Sequence, residues 1–180
     1  MTKEMTFPKD FWWGASTSAT QSEGRGTGDG KGENIWDYSS VEYNNRFYDG
    51  ITSSKTSTFY KNYKSDIKLM KDIHLNSFRT SISWSRLIPD GNGEVNPKAA
   101  EFYNNVIDEL LKQGIEPFIN LYHFDMPLEM QKIGGFENRE VVEAYVNYSK
   151  KCFELFGDRV KYWFTSNEPM IPAEAGYLHD

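Results

Sequence analysis

The chain has 180 residues, of which 38% are hydrophobic, and this length is enough to bury the core of one domain. Its 26 acidic and 20 basic residues give a formal net charge of −6, which argues against a nucleic-acid partner because phosphate backbones are bound by basic surfaces. The single cysteine, Cys152, has no second cysteine to pair with and fits a reducing compartment.

Signals for membranes and metals are also absent from the sequence. Residues 1–5 are too polar for a signal peptide, and no later segment is apolar over the length of a membrane span. We therefore expect a cytoplasmic protein that does not bind membranes. The histidines, His74, His123 and His179, lie at no zinc-type spacing from Cys152, so we expect no metal and no other cofactor.

Strands and helices alternate along the chain. Short apolar runs bounded by small or turn residues predict strands, and apolar residues three and four positions apart predict amphipathic helices. Units of this size suit parallel strands joined by crossover helices. The predicted strands are residues 10–15, 76–83, 115–122 and 160–164, the predicted helices are residues 59–73, 97–113 and 139–156, and residues 33–58 contain no long periodic segment.

A segment rich in Ser, Thr and Gly, residues 16–32, follows the first strand. Its alternating glycines, from Gly24 to Gly32, lack the Gly-Lys-Ser/Thr ending of a phosphate-binding loop and do not open directly onto a helix. We interpret the segment as a long surface loop. Gln21 and Glu23 are its polar residues nearest the strand, and Gln21 is the one that we assign to a pocket.

Arg79 lies on the second strand, on the face that carries small serines, whereas apolar residues occupy the other face. An arginine on a strand that is otherwise buried needs a carboxylate or another anion as its partner. Two interpretations therefore stay open: Arg79 forms a structural ion pair, or it belongs directly to a site.

The third and fourth strands both end in polar residues. His123 and Phe124 follow the third strand, where a role in facing a ligand competes with that of an ordinary structural histidine. Asn167 follows the fourth strand, and its amide can both donate to and accept from a sugar hydroxyl. Pro169 favours extended backbone at Glu168, and an apolar surrounding would raise the pKa of that carboxyl, so we predict Glu168 as a general acid.

Except for Arg79, these polar residues lie at or just past the C-terminal ends of predicted parallel strands, which is the side where sites form in α/β barrels and in doubly wound sheets. A doubly wound sheet is disfavoured because no glycine-rich loop leads straight into a helix.

Four motifs, in their order along the chain, resemble those of glycoside hydrolase family 1. The resemblance extends from about Phe7 to the last residue. It implies a TIM (β/α)8 barrel of retaining β-glycosidases, in which residues 1–180 form the N-terminal portion of a single catalytic barrel, its first four β/α units. The motifs are Phe11-Trp12-Trp13-Gly14-Ala15 with Gln21-Ser22-Glu23-Gly24, Phe78-Arg79-Thr80-Ser81-Ile82-Ser83-Trp84-Ser85-Arg86, Tyr122-His123-Phe124-Asp125-Met126-Pro127 and Thr165-Ser166-Asn167-Glu168-Pro169.

The resemblance also implies residue roles. Glu168 matches the acid/base carboxylate that follows the fourth strand, and Asn167 matches the residue that binds the sugar 2-hydroxyl. Gln21 and His123 match residues that hold the hydroxyls of the glycone. Arg79 matches the arginine that neighbours the nucleophile.

Phe124 points to a substrate class, because many glucosidases of the family have Trp here and Phe is associated with the branch that acts on 6-phosphoglycosides. The run of residues 133–140 also resembles bacterial 6-phospho-β-glucosidases. The implied reaction is retaining hydrolysis of 6-phospho-β-D-glucosides, such as phosphorylated cellobiose or aryl glucosides, to glucose 6-phosphate and an aglycone. The alternatives are a β-glucosidase or 6-phospho-β-galactosidase of the same family, and a non-catalytic sugar-binding fragment.

The nucleophilic Glu of the family and its 6-phosphate-binding residues are not found in this sequence. A retaining glycosidase needs two carboxylates about 5–5.5 Å apart. Asp125 is the nearest substitute for the second one, but it follows a different strand, so we disfavour a working pair of Asp125 and Glu168. We expect the isolated segment to be inactive, and we expect the edges of an open half-barrel to favour self-association.

Overall fold

A computed structural model describes residues 5–25, 28–43 and 48–178 of the chain. Residues 1–4, Gly26 and His179, which entered the sequence analysis, lie outside these ranges. Within the described ranges, no helix is both long enough and apolar enough to cross a membrane.

The structure alternates strands and helices in the predicted order. The strands are β1 (Gly14–Ser16), β2 (Ser77–Ser81), β3 (Glu116–Asn120) and β4 (Tyr162–Phe164). The helices are α1 (Ala19–Ser22), α2 (Ile35–Glu42), α3 (Phe59–Asp72), α4 (Trp84–Leu87), α5 (Pro97–Lys112), α6 (Leu128–Lys132), α7 (Arg139–Phe156) and α8 (Met170–Ala173). Short 3₁₀ turns occupy Tyr48–Gly50 and Gly135–Glu137, and a π-helical turn occupies Glu174–Leu178.

The four strands form one parallel sheet in the order β1-β2-β3-β4. Arg79 on β2 lies opposite Phe118 on β3, which in turn lies opposite Tyr162 on β4. Strands that are neighbours in the sequence are therefore neighbours in the sheet, and helices connect them. This is the topology of the first four β/α units of a TIM barrel.

Capping residues mark the starts of the helices α5 and α7. α5 begins after Asn96, whose side chain accepts a hydrogen bond from the backbone N–H of Lys98, and it ends just before Gly114, which has a φ of +73°. α7 begins after Asn138, whose side chain accepts from the N–H of Glu140. Caps of this kind contribute about 0.5–2 kcal/mol each and set where the helices start.

The core lies between the sheet and the helices α3, α5 and α7. Each large apolar side chain buried there contributes about 1.5–3 kcal/mol. Cys152 is one of these residues and is fully buried, as its place on the apolar stripe of α7 predicts. Other core residues with little or no exposure are Ile67, Phe78, Val106, Leu110, Ile119, Tyr148 and Phe156.

The first predicted strand is placed too early and is too long. Ladder pairing covers only Gly14–Ser16, although the carbonyl of Trp13 already accepts the N–H of Asn76 at 2.9 Å. Phe7, Phe11 and Trp13 instead pack against one another, with ring centroids 4.7–4.8 Å apart. The apolar run therefore reflects an aromatic cluster rather than a strand.

The helix α2 lies in the segment where the sequence analysis predicted no regular element. Its apolar residues do not gather on one face, so no helical period is visible. A capping box starts it: the side chain of Asn34 accepts from the N–H of Asp37, and the carboxylate of Asp37 accepts from the N–H of Asn34. The Asn-x-x-Asp spacing was the signal that could have revealed this helix.

Candidate active site

The carboxyl ends of the strands open into a cleft of about 670 Å³. All the residues to which the sequence analysis assigned site roles line it, although they come from four separate parts of the chain. Trp36 on α2 also lines the cleft, and its role was missed together with its helix. The predicted residues in the lining are Gln21, Arg79, His123, Phe124, Asn167 and Glu168.

Arg79 projects from the middle of β2 and is partly buried. Its Nη2 donates a hydrogen bond to Oδ1 of Asn167 at 2.9 Å, and its guanidinium lies 5.3 Å from the ring centroid of Phe164. Burial lowers the pKa of Arg79, while the charge of Glu168 acts in the opposite direction. Among the described residues, no carboxylate lies within 4.0 Å of Arg79, so its partner here is the amide of Asn167 and not an anion, and its site role stays a prediction.

The turn after β4 carries Asn167 and Glu168. The N–H of Asn167 donates to the carbonyl of Tyr122 at 2.9 Å, and the hydroxyl of Tyr145 donates to the carbonyl of Thr165. These bonds attach the turn to the end of β3 and to α7. The position of Glu168 is thus fixed by hydrogen bonds from this turn to β3 and α7, in addition to its connection to β4.

Two expectations for Glu168 are corrected by the structure. Its φ is +39°, in the left-handed region, and not extended as the following Pro169 suggested. The hydrogen bond of Asn167 and the immediate start of α8 fix the backbone here and override the local preference. The side chain of Glu168 is exposed, so the expected apolar surrounding is not present in the part of the chain that the structure describes.

His123 follows β3 and is half-buried in the wall of the cleft. Burial, helped by the charge of Arg79, lowers the pKa of His123 to about 4, so the ring is neutral at neutral pH. Its Nδ1 lies 3.3 Å from Nδ2 of Asn120. The next residue, Phe124, packs its ring edge-on against the imidazole and has a φ of +65°.

Asp125 follows these two residues but does not line the cleft, because its side chain is fully buried. Oδ1 accepts a long hydrogen bond from the N–H of His123, at 3.5 Å. Burial raises the pKa of Asp125 to about 6, against the opposing effect of hydrogen bonds from Ser83 and from the His123 backbone. This position agrees with the view that Asp125 does not pair with Glu168 in catalysis.

Gln21 lies on α1, a single helical turn, and its side chain is exposed to the cleft. The Oγ of Ser18 donates to Oε1 of Gln21 at 2.9 Å, and the N–H of Ala19 donates to Oγ of Ser81 at 2.8 Å. A helix of four residues is not stable alone, so the contacts with its N-cap Ser18 and with β2 position Gln21.

A group of buried charges lies directly behind Gln21. Arg86 on α4 is 1% exposed, and its guanidinium donates to Glu23 at 2.8 Å, to Asp29 and to the carbonyl of Gly24 at 2.9 Å. The hydroxyl of Tyr103 donates to Glu23 at 2.9 Å. Burial alone would lower the pKa of Arg86, but the charges of Glu23 and Asp29 outweigh it and raise this pKa.

These contacts correct the interpretation of residues 16–32 as a surface loop, because Ser18, Ser22, Glu23 and Asp29 are all buried. The sequence analysis did not identify Arg86 as their partner. It could have done so, because Arg86 lies in an apolar run and needs an anion by the argument that was applied to Arg79.

The cleft combines polar groups that can donate and accept hydrogen bonds with the aromatic faces of Trp36 and Phe124, as sugar sites do. A second cleft of about 630 Å³ adjoins it and shares these two aromatic residues. Among the described residues, no cluster of His, Cys, Asp and Glu side chains is arranged to hold a metal ion.

Comparison with known proteins identifies the relatives of the chain. It is 64% identical over 179 residues to the 6-phospho-beta-glucosidase GmuD of Bacillus subtilis, which is 99% of this chain and 38% of that protein. It is 46% identical over 172 residues to a 6-phospho-beta-galactosidase of Clostridium acetobutylicum, which is 96% of this chain and 35% of that protein. The chain thus spans well under half of the length of these curated relatives.

Solved structures of related enzymes have the same fold as this chain. The beta-glucosidase from Thermotoga maritima in complex with castanospermine superposes with a TM-score of 0.92 at 42% identity, over 96% of this chain and 39% of that one. The expected α/β fold, the first four β/α units of a TIM barrel, is therefore confirmed. The sequence profile described as "Glycosyl hydrolase family 1" matches residues 3–180, and the chain belongs to this family.

Proposed function

We propose that the complete protein hydrolyses 6-phospho-β-D-glucosides with retention of configuration, and that this chain supplies the acid/base residue and one part of the glycone site. The observation that carries the proposal is the convergence of Glu168, Asn167, Arg79, His123 and Gln21 on one cleft. The 64% identity to a 6-phospho-beta-glucosidase supports the choice of substrate.

Glu168 acts twice in this mechanism. Its carboxyl first protonates the leaving glycosidic oxygen while a nucleophilic carboxylate attacks the anomeric carbon, and its carboxylate then deprotonates the water that releases the glycosyl-enzyme. The nucleophile comes from outside residues 1–180 and must lie about 5–5.5 Å from Glu168. The position of Glu168 on the exposed wall of the cleft leaves room for both the sugar and this partner.

Asn167 and Arg79 bind the sugar as a unit. Because Oδ1 of Asn167 accepts from Arg79 at 2.9 Å, the amide has a fixed orientation, and its Nδ2 is directed to donate to a hydroxyl. His123 and Gln21 provide further hydrogen bonds to the glycone from β3 and α1. The charge of Glu168 also acts on this guanidinium, where it opposes the lowering of the pKa of Arg79 by burial.

The aglycone extends into the adjoining cleft in this proposal. Trp36 and Phe124 belong to both clefts, so a substrate can continue from one to the other across these rings. Tyr38, Ile171 and Tyr177 give the second cleft an aromatic and apolar lining. Such a surface suits an aryl group or the second ring of a disaccharide.

A β-glucosidase that acts on unphosphorylated substrates is the second candidate. It is supported by the similarity to the beta-glucosidase from Thermotoga maritima, at a TM-score of 0.92. Its site would share the acid/base residue and the hydroxyl contacts and would differ in the recognition of the sugar 6-position.

Hydrolysis of nitrophenyl β-glucoside 6-phosphate, nitrophenyl β-glucoside and nitrophenyl β-galactoside 6-phosphate by the complete gene product separates these candidates. We expect the highest kcat/KM for nitrophenyl β-glucoside 6-phosphate. Glu168→Gln should lower kcat by about 10²–10⁴-fold, which is the usual contribution of general acid–base catalysis. Glu174→Gln, which changes a carboxylate outside the lining of the cleft, is the matched control. Equal rates for the two variants would refute the role of Glu168.

A further inference from the structure

Asn120, the last residue of β3, has no role in the proposed mechanism and is fully buried. Its Nδ2 lies 2.9 Å from the carbonyl oxygen of Tyr122 and 3.3 Å from Nδ1 of His123. A buried amide at the base of a cleft-lining histidine can control that histidine through its hydrogen bonds.

The orientation of this amide follows from its neighbours. If the group were turned over, the side-chain oxygen of Asn120 would face the carbonyl oxygen of Tyr122, and two acceptors would repel each other. With Nδ2 in that position, one amide hydrogen is donated to Tyr122 and the other is directed at the ring of His123. An amide nitrogen donates and does not accept, so Nδ1 of His123 must be the acceptor.

The charge state of His123 and its contact with Asn120 together determine which ring nitrogen is protonated. Burial and the charge of Arg79 lower the pKa of His123 to about 4, so at neutral pH the ring has a single proton. Since Nδ1 accepts from Asn120, that proton is on Nε2, on the side of the ring away from Asn120. The facing charged groups, Arg79 and Glu168, line the same cleft.

We propose that Asn120 is a positioning residue that fixes the Nε2–H tautomer of His123, so that His123 offers a ligand a hydrogen-bond donor and not an acceptor. The identity of this ligand as a sugar rests on the proposed function. A hydroxyl at this point must accept from His123 and give its own proton to another group. An analogue with fluorine in place of that hydroxyl keeps an acceptor, whereas a deoxy analogue loses it.

The test is ¹⁵N NMR of the histidine rings in the complete gene product, with the signals of His123 assigned by their loss in His123→Gln. We expect the wild-type ring to be neutral at pH 7, with a protonated Nε2 and an unprotonated Nδ1. In Asn120→Asp the new carboxylate can only accept, so Nδ1 should become protonated. Asn62→Asp, the same change at an exposed position on α3, should leave these signals unchanged.

Two results would overturn the proposal: a wild-type ring with its proton on Nδ1, or an Asn120→Asp ring with the wild-type pattern. If Asn120→Asp does not fold, Asn120→Ala replaces it: without the amide donor the ring should populate both tautomers, and a ring with its proton only on Nε2 would overturn the proposal. The NMR test needs no substrate, so a protein that hydrolyses none of the glycosides would contradict the proposed function without affecting this result.

Kinetics show whether Asn120 acts through His123. We expect Asn120→Asp to lower kcat/KM by about 10-fold, the loss of one well-placed hydrogen bond to the substrate. In a His123→Gln background the same change should have no further effect. A full effect in that background would mean that Asn120 acts by another route, and the positioning role would be excluded.

Discussion

Two walls face each other across the cleft, and different forces hold them. The strand wall consists of Arg79 on β2 and of His123, Asn167 and Glu168, which follow the ends of β3 and β4; the backbones of these strands pair in continuous parallel ladders. The loop wall, residues 16–25 and 28–34 with Gln21, is joined to the rest of the chain by the buried charges around Arg86, by side-chain contacts and by scattered backbone hydrogen bonds.

The difference determines how each wall responds to substitution. The strand wall distributes its stabilisation over many backbone hydrogen bonds, each with a net contribution of about 0.5–1.5 kcal/mol. The loop wall has scattered backbone bonds and depends in addition on a few charged groups that have little contact with water. Removal of one member of such a group leaves the others buried without a partner, and this costs more than the interaction itself contributed. The loop wall is therefore the one that a single change can break.

Arg86→Met should produce the largest loss of stability. It leaves the carboxylates of Glu23 and Asp29 buried without their cation, so we expect the free energy of unfolding of the complete gene product to fall by about 3–5 kcal/mol. Urea denaturation measures this. Arg139→Met, which breaks an exposed pair with Glu143 on α7, should cost no more than about 0.5 kcal/mol. Equal losses would mean that the loop wall does not depend on buried charge.

Asp125→Asn tests how the buried carboxyl that follows His123 and Phe124 makes stability depend on pH. The pKa of Asp125 is raised from 3.8 to about 6, so the folded state binds its proton more tightly than the unfolded state. The stability that this residue contributes is therefore complete below pH 3.8, falls as the pH rises to about 6 and is constant above that. Two pKa units correspond to roughly 3 kcal/mol. The free energy of unfolding of Asp125→Asn, measured relative to that of wild type, should therefore be higher at pH 7 than at pH 4.

Urea denaturation at both pH values provides the measurement, and His123→Gln provides a contrast of opposite sign. Because the pKa of His123 is lowered to about 4, the stability that this residue contributes rises with pH from about 4 to 6.5. The effect should be smaller than that of Asp125, since solvent reaches part of the ring. Parallel pH profiles for wild type and Asp125→Asn would contradict the raised pKa.

Tyr148→Phe should have the smallest effect. The hydroxyl of Tyr148 lies 2.9 Å from the carbonyl oxygens of both Ile82 and Leu121, and so links α7 to the ends of β2 and β3. Its loss should cost about 1–2 kcal/mol, because the carbonyls stay buried and other ladder bonds hold the strands. Tyr38→Phe, at an exposed position on α2, should change thermal unfolding little. A loss as large as that of Arg86→Met would show that the strand wall is equally vulnerable.

The sequence analysis succeeded where the information is local. The helices α3, α5 and α7 have a clear apolar period, and α5 and α7 also have capping residues, so their limits were predicted closely. Most of the predicted residues of the cleft were identified because they follow parallel strands, whose carboxyl ends meet at one edge of a sheet, and Arg79 was identified because a buried arginine needs a partner. The family resemblance then supplied the roles that position alone does not give.

Two of the errors concern structure that depends on distant partners, whereas the capping box that starts α2 is a local signal that was missed. Glu23 and Arg86 are 63 residues apart, and nothing in the sequence near Glu23 indicates that it is buried. The left-handed backbone at Glu168 follows from the hydrogen bond between Asn167 and Tyr122, which a local rule about proline does not include. In both cases tertiary contacts override a correct local preference.

The positive φ of Phe124 has a consequence for protein engineering. A φ of +65° raises the free energy of an L-residue by roughly 1–2 kcal/mol relative to its preferred backbone conformation, and it raises that of a β-branched residue by more. A saturation library at this position is therefore biased before any substrate is added: Val, Ile and Thr should be under-represented among folded clones, and Asn and Gly should be enriched. Variants recovered there should be ranked by activity per folded molecule, because backbone tolerance and substrate preference change together.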